Sequence, residues 1–330
     1  MGAPHDRKGK LTMAKVACIG AGLVGGGWSV VFARGGCDVT LYDSGGIEAE
    51  TRARAAITQT LALLDRSGLL EEPIDRVNSR IRFAGSIAEA VEAVVHVQES
   101  VKEDVGIKRA VAAEIARHAP ADAVIASSTS ALAGSLFLDI AGADRALVAH
   151  PVNPPSLIPL VELCGTPWTS PETMAKTRAF MTGLGMKPVT LNKEIDGFLL
   201  NRLQYTLVAE AMHLVGEGYC SAADIDRVIK DGLALRWSTI GPFEVAHLNS
   251  PHGFQGFVDH LGSMMRHMGQ DARTDYDWPP ELASRIHAEL AQTVPLERLA
   301  ERQKWRDANI LATRAMQAEA EQRAGSASKD

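Results

Sequence analysis

Apolar residues first gather at Lys15-Val-Ala-Cys-Ile-Gly20, a short run closed by glycine that predicts a buried parallel strand. Gly25 to Ala33 continues with helical spacing, and Cys37 to Tyr42 reads as a second strand with Asp43 at its carboxyl end, completing a β-α-β unit. Residues 47 to 82 carry a long helical pattern broken near Gly68 and Pro73, expected to be a helix hairpin inserted before a strand at Val94 to Val97. A helix over Lys108 to Arg117, strands at Ala123 to Ala126 and Arg145 to Ala149, a helix over Pro171 to Gly183 and a strand at Lys187 to Leu191 extend the alternation. The pattern predicts an α/β Rossmann-type fold, a doubly wound and mostly parallel sheet.

Beyond Phe198 the strand pattern stops. Helical periods over Leu199 to Glu217, Ala222 to Gly232, Ala283 to Leu290 and Pro295 to Ala324 predict an all-helical second domain. The expected organisation is a flexible tail at 1–14, a nucleotide-binding domain at 15–192 and a helical domain at 193–330, with the closing AGSASKD frayed. A chain of 330 residues is long enough for two cores.

Composition narrows the partners. With 46% hydrophobic and 22% charged residues the chain is neither a disordered nor a membrane-embedded type, and no run approaches a membrane span. The opening residues lack the apolar stretch of a secretory leader, so the cytoplasm is the expected location. A net charge of -6 with scattered basic residues argues against nucleic acid. Cys18, Cys37, Cys164 and Cys220 are too dispersed for a disulfide framework or a metal site, and no metal is expected.

Gly20-Ala-Gly22-Leu23-Val24-Gly25 matches G-x-G-x-x-G between a strand and a helix, where glycines allow a tight turn, close approach of backbone to a pyrophosphate and close helix-strand packing. Asp43 ends the second strand, where a carboxylate accepts from both ribose hydroxyls and repels a 2′-phosphate, so NAD is the expected cofactor. Four further segments stand at or beyond expected strand ends: Ser127-Ser-Thr-Ser130, Ala149-His150-Pro-Val-Asn-Pro, Leu160-Val-Glu162-Leu and Gly197-Phe-Leu-Leu-Asn201-Arg202. Hydride removal from an alcohol needs a base, a group that holds the base in one tautomer, and donors around the oxygen. His150, Glu162 and the pair Ser130 with Asn201 supply those types.

At these residues the chain resembles the 3-hydroxyacyl-CoA dehydrogenase superfamily, whose pattern joins a glycine fingerprint to S-N-T-S-like, H-x-x-N-P, L-V-E and N-R segments. The resemblance implies that His150 and Glu162 form an acid-base pair, that Ser130 and Asn201 contact the substrate oxygen, and that Glu103 and Lys108 lie beside the nicotinamide and substrate. Ser128 stands where that family usually has Asn, on the cofactor side. AHPVNPP, IPLVEL, GFLLNRLQY and RQKWRD are similar to the lambda-crystallin and L-gulonate 3-dehydrogenase branch, and Leu235-Arg-Trp-Ser-Thr-Ile-Gly-Pro242 is similar to carnitine 3-dehydrogenases. The resemblance also implies a homodimer through the helical domain.

An acyl-CoA substrate brings phosphates that need cations near the mouth of the site, yet residues 47–79 contain no lysine and four arginines against six acids. A small free 3-hydroxy acid is therefore the expected substrate, oxidised to the 3-keto acid in a cleft between the domains, with Arg236 as candidate carboxylate ligand. The alternatives are a 3-hydroxyacyl-CoA dehydrogenase, a carnitine 3-dehydrogenase and a non-catalytic NAD-binding protein. His96, His118, His213, His260, His267 and His287 are expected to be packing or surface residues.

Overall fold

The computed structural model describes residues 14–327. The expected flexible tail therefore lies outside the described residues except for Ala14, which is buried and whose carbonyl accepts the Asp38 amide at 3.0 Å. The chain divides into two compact units, 1–201 and 202–330.

Within the first unit, β1 (Lys15–Ile19), α1 (Leu23–Arg34) and β2 (Asp38–Tyr42) form the opening β-α-β unit, with both strands carrying buried apolar residues. α2 (Gly46–Arg66) and the short α3 (Ile74–Asn78) follow, separated near Gly68 and Pro73 as the sequence indicates. β3 (Ile81–Phe83) and α4 (Ile87–Ala90) precede β4 (His96–Glu99), α5 (Val105–His118) and β5 (Val124–Ser127). The unit continues with β6 (Ala146–Pro151), β7 (Leu160–Gly165), α6 (Pro171–Gly183) and β8 (Lys187–Leu191). Among the described residues the strands form one eight-stranded sheet in the order β3-β2-β1-β4-β5-β6-β7-β8.

In this unit two segments depart from the sequence expectation. β3 falls inside the stretch read as helical, because three residues at a sheet edge are too few to establish an alternating pattern against the helical run before them. Leu160-Val-Glu162 lies within a strand, β7, and not beyond a strand end: the Pro-rich turn after β6 reverses the chain, and β7 pairs antiparallel with β6 while its other edge pairs parallel with β8.

The turn between β1 and α1 is close-packed. A Cβ at Gly25 would lie 1.8 Å from the Gly20 carbonyl oxygen, so glycine is required for the helix to start directly on the turn.

In the second unit, α7 (Phe198–Gly216), whose first residues belong to the first unit, leads to α8 (Ala222–Arg227), a π-helical turn at Val228–Leu233, α9 (Ala234–Trp237), α10 (Pro242–Leu248), α11 (Gly253–Asp271), α12 (Pro280–Thr293) and α13 (Leu299–Ala327). α10 and α11 were not expected. Glycines at 253, 256, 262 and 269 lower the helix propensity of α11, although Phe254, Val258, Leu261, Met265 and Met268 keep helical spacing. Met212, Val215 and Leu282 form a small core with Val208, Ile225 and Tyr276. No helix among the described residues is long and apolar enough to cross a membrane.

His96 shows how polar residues enter the first core. Its ring packs 5.6 Å from Phe32 and 5.0 Å from Phe180 by centroid, and its Nε2 faces Gln98 Oε1 at 3.1 Å. Burial pushes its pKa down from the ordinary 6.5 to about 4, so the folded protein holds the ring neutral where an unfolded chain would take up a proton. The resulting stabilisation is complete above pH ~6.5 and is lost as the pH falls toward ~4, by about 3 kcal/mol in total. Denaturant titrations between pH 7 and 4 should therefore show a steeper fall in stability for the native chain than for His96→Gln; parallel curves would remove His96 from the acid response.

Candidate active site

The glycine turn supplies the nucleotide face. Gly20 adopts φ +98°, and a Cβ there would stand 2.5 Å from the Ser100 carbonyl oxygen, so both conformation and space demand glycine. Gly22 precedes α1 without any side-chain cap, and a Cβ on Gly22 or Gly26 would meet nothing within 4 Å. The turn therefore presents bare backbone and the first amides of a helix to an open side, an arrangement suited to a phosphate. Gly22, Leu23, Gly26, Asp43, Arg52 and Thr60 help to line a cavity of about 310 Å³. Val24 is half-buried at the start of the same helix.

Asp43 links this turn to the second strand. Its Oδ2 accepts the Ala21 amide at 2.7 Å and its Oδ1 accepts the Gly45 amide at 2.8 Å. The half-buried carboxylate thus stands at the cavity wall, where a ribose would lie in a dinucleotide-binding fold.

The second constellation rests on strand register. Antiparallel pairing sets His150 directly opposite Glu162, and His150 Nδ1 lies 2.9 Å from Glu162 Oε2 with both side chains buried. The other carboxylate oxygen, Oε1, accepts the amides of Leu199 at 2.8 Å and Leu200 at 3.1 Å. With both carboxylate oxygens acting as acceptors, Nδ1 carries a proton, so in the neutral imidazole Nε2 is the nitrogen with the lone pair. Glu162 also satisfies two amides at the beginning of α7 that have no partner within the helix.

The backbone entering that helix is strained. Gly197 has φ +75° and Phe198 has φ +50°, a left-handed conformation that costs a non-glycine residue about 1–2 kcal/mol. Complete burial of Phe198 in a cluster with Val148, Cys164 and Leu191 offsets the cost, and its ring lies 5.2 Å from that of His150. The residue that turns the chain into α7 is also the one against which the imidazole packs.

Ser130 and Asn201 meet at a third point. Asn201 Nδ2 donates to the Ser130 carbonyl at 2.8 Å, and the loop carrying Ser130 follows β5, whose parallel neighbour β6 carries His150 as its penultimate residue. Glu103 Oε1 accepts from Ser130 N at 2.8 Å, Ala131 N at 3.0 Å and Thr129 Oγ1 at 2.6 Å. Burial works to raise the Glu103 pKa, but the Thr129 hydroxyl, the Lys108 ammonium and these amides outweigh it and hold the carboxyl below the usual range. Glu103 thereby pins the loop that presents Ser130, whose side is exposed.

Lys108 is only 1% exposed; its Nζ lies 3.0 and 3.2 Å from the two Glu99 oxygens and 3.4 Å from Glu103 Oε2. Its ammonium is committed to those carboxylates instead of being offered to solvent. Sequence reasoning missed Glu99, which also accepts from Ser127 Oγ and from the Val101 amide at 2.6 Å. An acid inside the apolar run Val94-Val-His-Val-Gln-Glu99, with a lysine in the following helix, was the available signal. Ser128 lies among Trp28, Gln98 and Ser100. Arg236, exposed in the last turn of α9, belongs to the second unit.

The family described as "3-hydroxyacyl-CoA dehydrogenase, NAD binding domain" matches residues 15–195, and "3-hydroxyacyl-CoA dehydrogenase, C-terminal domain" matches residues 197–293. The lambda-crystallin homolog of Mus musculus is 40% identical over 299 residues, covering 88% of this chain and 92% of that protein. An L-carnitine dehydrogenase of Bacillus cereus is 34% identical over 291 residues, covering 88% of this chain and 85% of that one. Among solved structures, 5-formyl-3-hydroxy-2-methylpyridine 4-carboxylic acid 5-dehydrogenase, described as an NAD+ dependent dismutase, superposes with a TM-score of 0.80 at 26% identity, covering 93% of this chain and 99% of that one.

Glu162→Ala should lower stability by about 3 kcal/mol, because it orphans two helix amides and the buried imidazole proton donor. Glu162→Gln retains an amide-accepting oxygen and should lose roughly 1 kcal/mol. Equal losses in urea titrations of the two variants would show that the Leu199 and Leu200 amides gain nothing from this side chain.

Proposed function

The chain belongs to the 3-hydroxyacyl-CoA dehydrogenase family and carries its NAD-binding domain, and from that premise we propose that it oxidises the 3-hydroxyl of a small free 3-hydroxy acid to the 3-keto acid. The observation that carries the proposal is the buried His150–Glu162 pair, which leaves Nε2 as the basic atom at the carboxyl end of the sheet. In this reading Nε2 takes the hydroxyl proton, Glu162 stabilises the imidazolium that forms, and Ser130 with Asn201 orients the alcohol oxygen. Bound NAD supplies the hydride acceptor. In the reverse direction His150 returns the proton as an acid.

The preference for a free acid rests on the charges of α2 and α3. Arg54 is ion-paired with Glu50 at 2.7 Å and lies 4.6 Å over the Phe83 ring, Arg76 pairs with Glu72 at 2.7 Å, and Arg52 stands 3.9 Å from Glu48. No lysine accompanies them between residues 47 and 79, so a phosphate would have to compete with carboxylates for these guanidiniums. Two of the similar proteins are named for free carboxylic acids, which supports the same reading. A sugar acid such as L-gulonate, or a short 3-hydroxy acid such as 3-hydroxybutyrate, fits this description. A homodimer through the second unit is part of the proposal, supported by exposed apolar residues on α11 such as Phe254, Val258, Met264 and Met268.

NADH formation followed by absorbance should favour L-gulonate, 3-hydroxybutyrate or L-carnitine over 3-hydroxybutyryl-CoA; activity with the CoA ester alone would overturn the free-acid assignment. His150→Gln should reduce turnover by about 10³-fold while leaving NAD affinity within a factor of about two. Glu162→Gln should also lose most turnover, because an amide NH2 facing Nδ1 favours the opposite tautomer and places the proton on Nε2. Wild-type turnover in His150→Gln would remove it as the base.

A further inference from the structure

A chain of buried hydrogen bonds runs behind the glycine turn, and its direction follows from a single carbonyl. The Ala149 carbonyl oxygen lies 3.2 Å from the Gln98 amide group and can only accept, so the nitrogen Nε2 must face it. Gln98 Oε1 then faces His96, whose Nε2 at 3.1 Å must be the donor. The same Gln98 Nε2 also donates to Ser128 Oγ at 2.7 Å, and Trp28 Nε1, which is a donor only, approaches the same oxygen at 3.2 Å. Two donors occupy the lone pairs of Ser128 Oγ. Its own proton therefore goes to Ser100 Oγ, 2.9 Å away. Ser100, accepting from Ser128, keeps its own proton for a partner elsewhere, and among the described residues its hydroxyl has no other hydrogen bond.

Placement says where that proton is used. Ser100 is the first residue beyond β4, and its amide bonds to Ile19 O at 2.7 Å. A Cβ on Gly25 would lie 3.4 Å from the Ser100 Cβ, so the side chain lies directly beside the glycine turn. Ser100 is half-buried whereas Trp28 and Gln98 are fully buried. β1 and β4 are neighbours from which the sheet is built outward in opposite directions, and in such sheets the ligand lies in the crevice at the carboxyl ends of these two strands.

We propose that Ser100 is a further NAD-binding residue, a hydroxyl donor to the dinucleotide whose proton is turned outward by the Trp28–Gln98–Ser128 relay. The proposal rests on NAD binding and not on the identity of the acid. Ser128 is central to it: a hydroxyl can accept twice and donate once, which passes the direction on, and the same relay grips the carbonyl that precedes His150.

Calorimetric titration of the full-length protein with NAD, without substrate, tests this. Ser100→Ala should raise the NAD Kd about five- to tenfold. Trp28→Phe frees one lone pair on Ser128, which leaves the Ser100 hydroxyl free to point either way; the NAD Kd of this variant should rise about twofold, and the increment should vanish in the Ser100→Ala background. Should Trp28→Phe not fold, Ser128→Ala makes the same comparison, since it too releases Ser100 from a fixed direction. Ser100→Ala with native NAD affinity would overturn the assignment, and equal effects of the relay variant in both backgrounds would overturn the coupling. Because no substrate enters the titration, a failure here is separate from a failure of the proposed oxidation.

Discussion

One carboxylate ties together the parts of the first unit that concern the site. Glu162 sits where β7 pairs against β6, and it spends one oxygen on His150 and the other on the first amides of α7. A buried carboxylate without partners would be strongly destabilising, so its burial depends on strand register and helix entry being correct together. The left-handed Phe198 belongs to the same arrangement: its burial offsets its backbone strain and gives the imidazole a wall.

A second set of buried polar groups is centred on β4 and β5. Three of the four residues of β4 are His96, Gln98 and Glu99, all buried in a central strand where apolar residues would ordinarily be found. Each has a partner: His96 bonds to Gln98, Gln98 to Ser128 and Ala149, and Glu99 to Lys108 and Ser127. Satisfied groups of this kind hold neighbouring loops in one arrangement because slippage would leave donors buried without acceptors. Here the loops they hold carry Ser100, Ser128 and, through Glu103, Ser130.

The two halves of the site differ in what they require of the backbone. The nucleotide side depends on absent side chains, with Gly20 and Gly25 in contact distance of neighbouring backbone. The other side depends on side chains held by several elements at once, with His150 on β6, Glu162 on β7 and Ser130 in the loop after β5. Compact glycine turns are encoded locally, whereas the His150–Glu162 pair is a property of two strands.

Local information in the sequence was therefore enough for the alternating strands and helices of the first unit, the glycine turn with Asp43, and the break from strands to helices near Phe198, because each follows from periodicity or backbone freedom within a short window. Residue types also marked His150, Glu162, Ser130 and Asn201 as a group worth uniting, and the family resemblance supplied their expected roles. Tertiary structure alone decided that Glu162 lies inside an antiparallel strand opposite His150, that Lys108 is locked to an unremarked Glu99, and that Ser128 joins Trp28 to Ser100. Those contacts join residues distant in the chain, so they depend on strand register and on the hydrogen-bond accounting of a closed interior, neither of which any single window of the sequence contains.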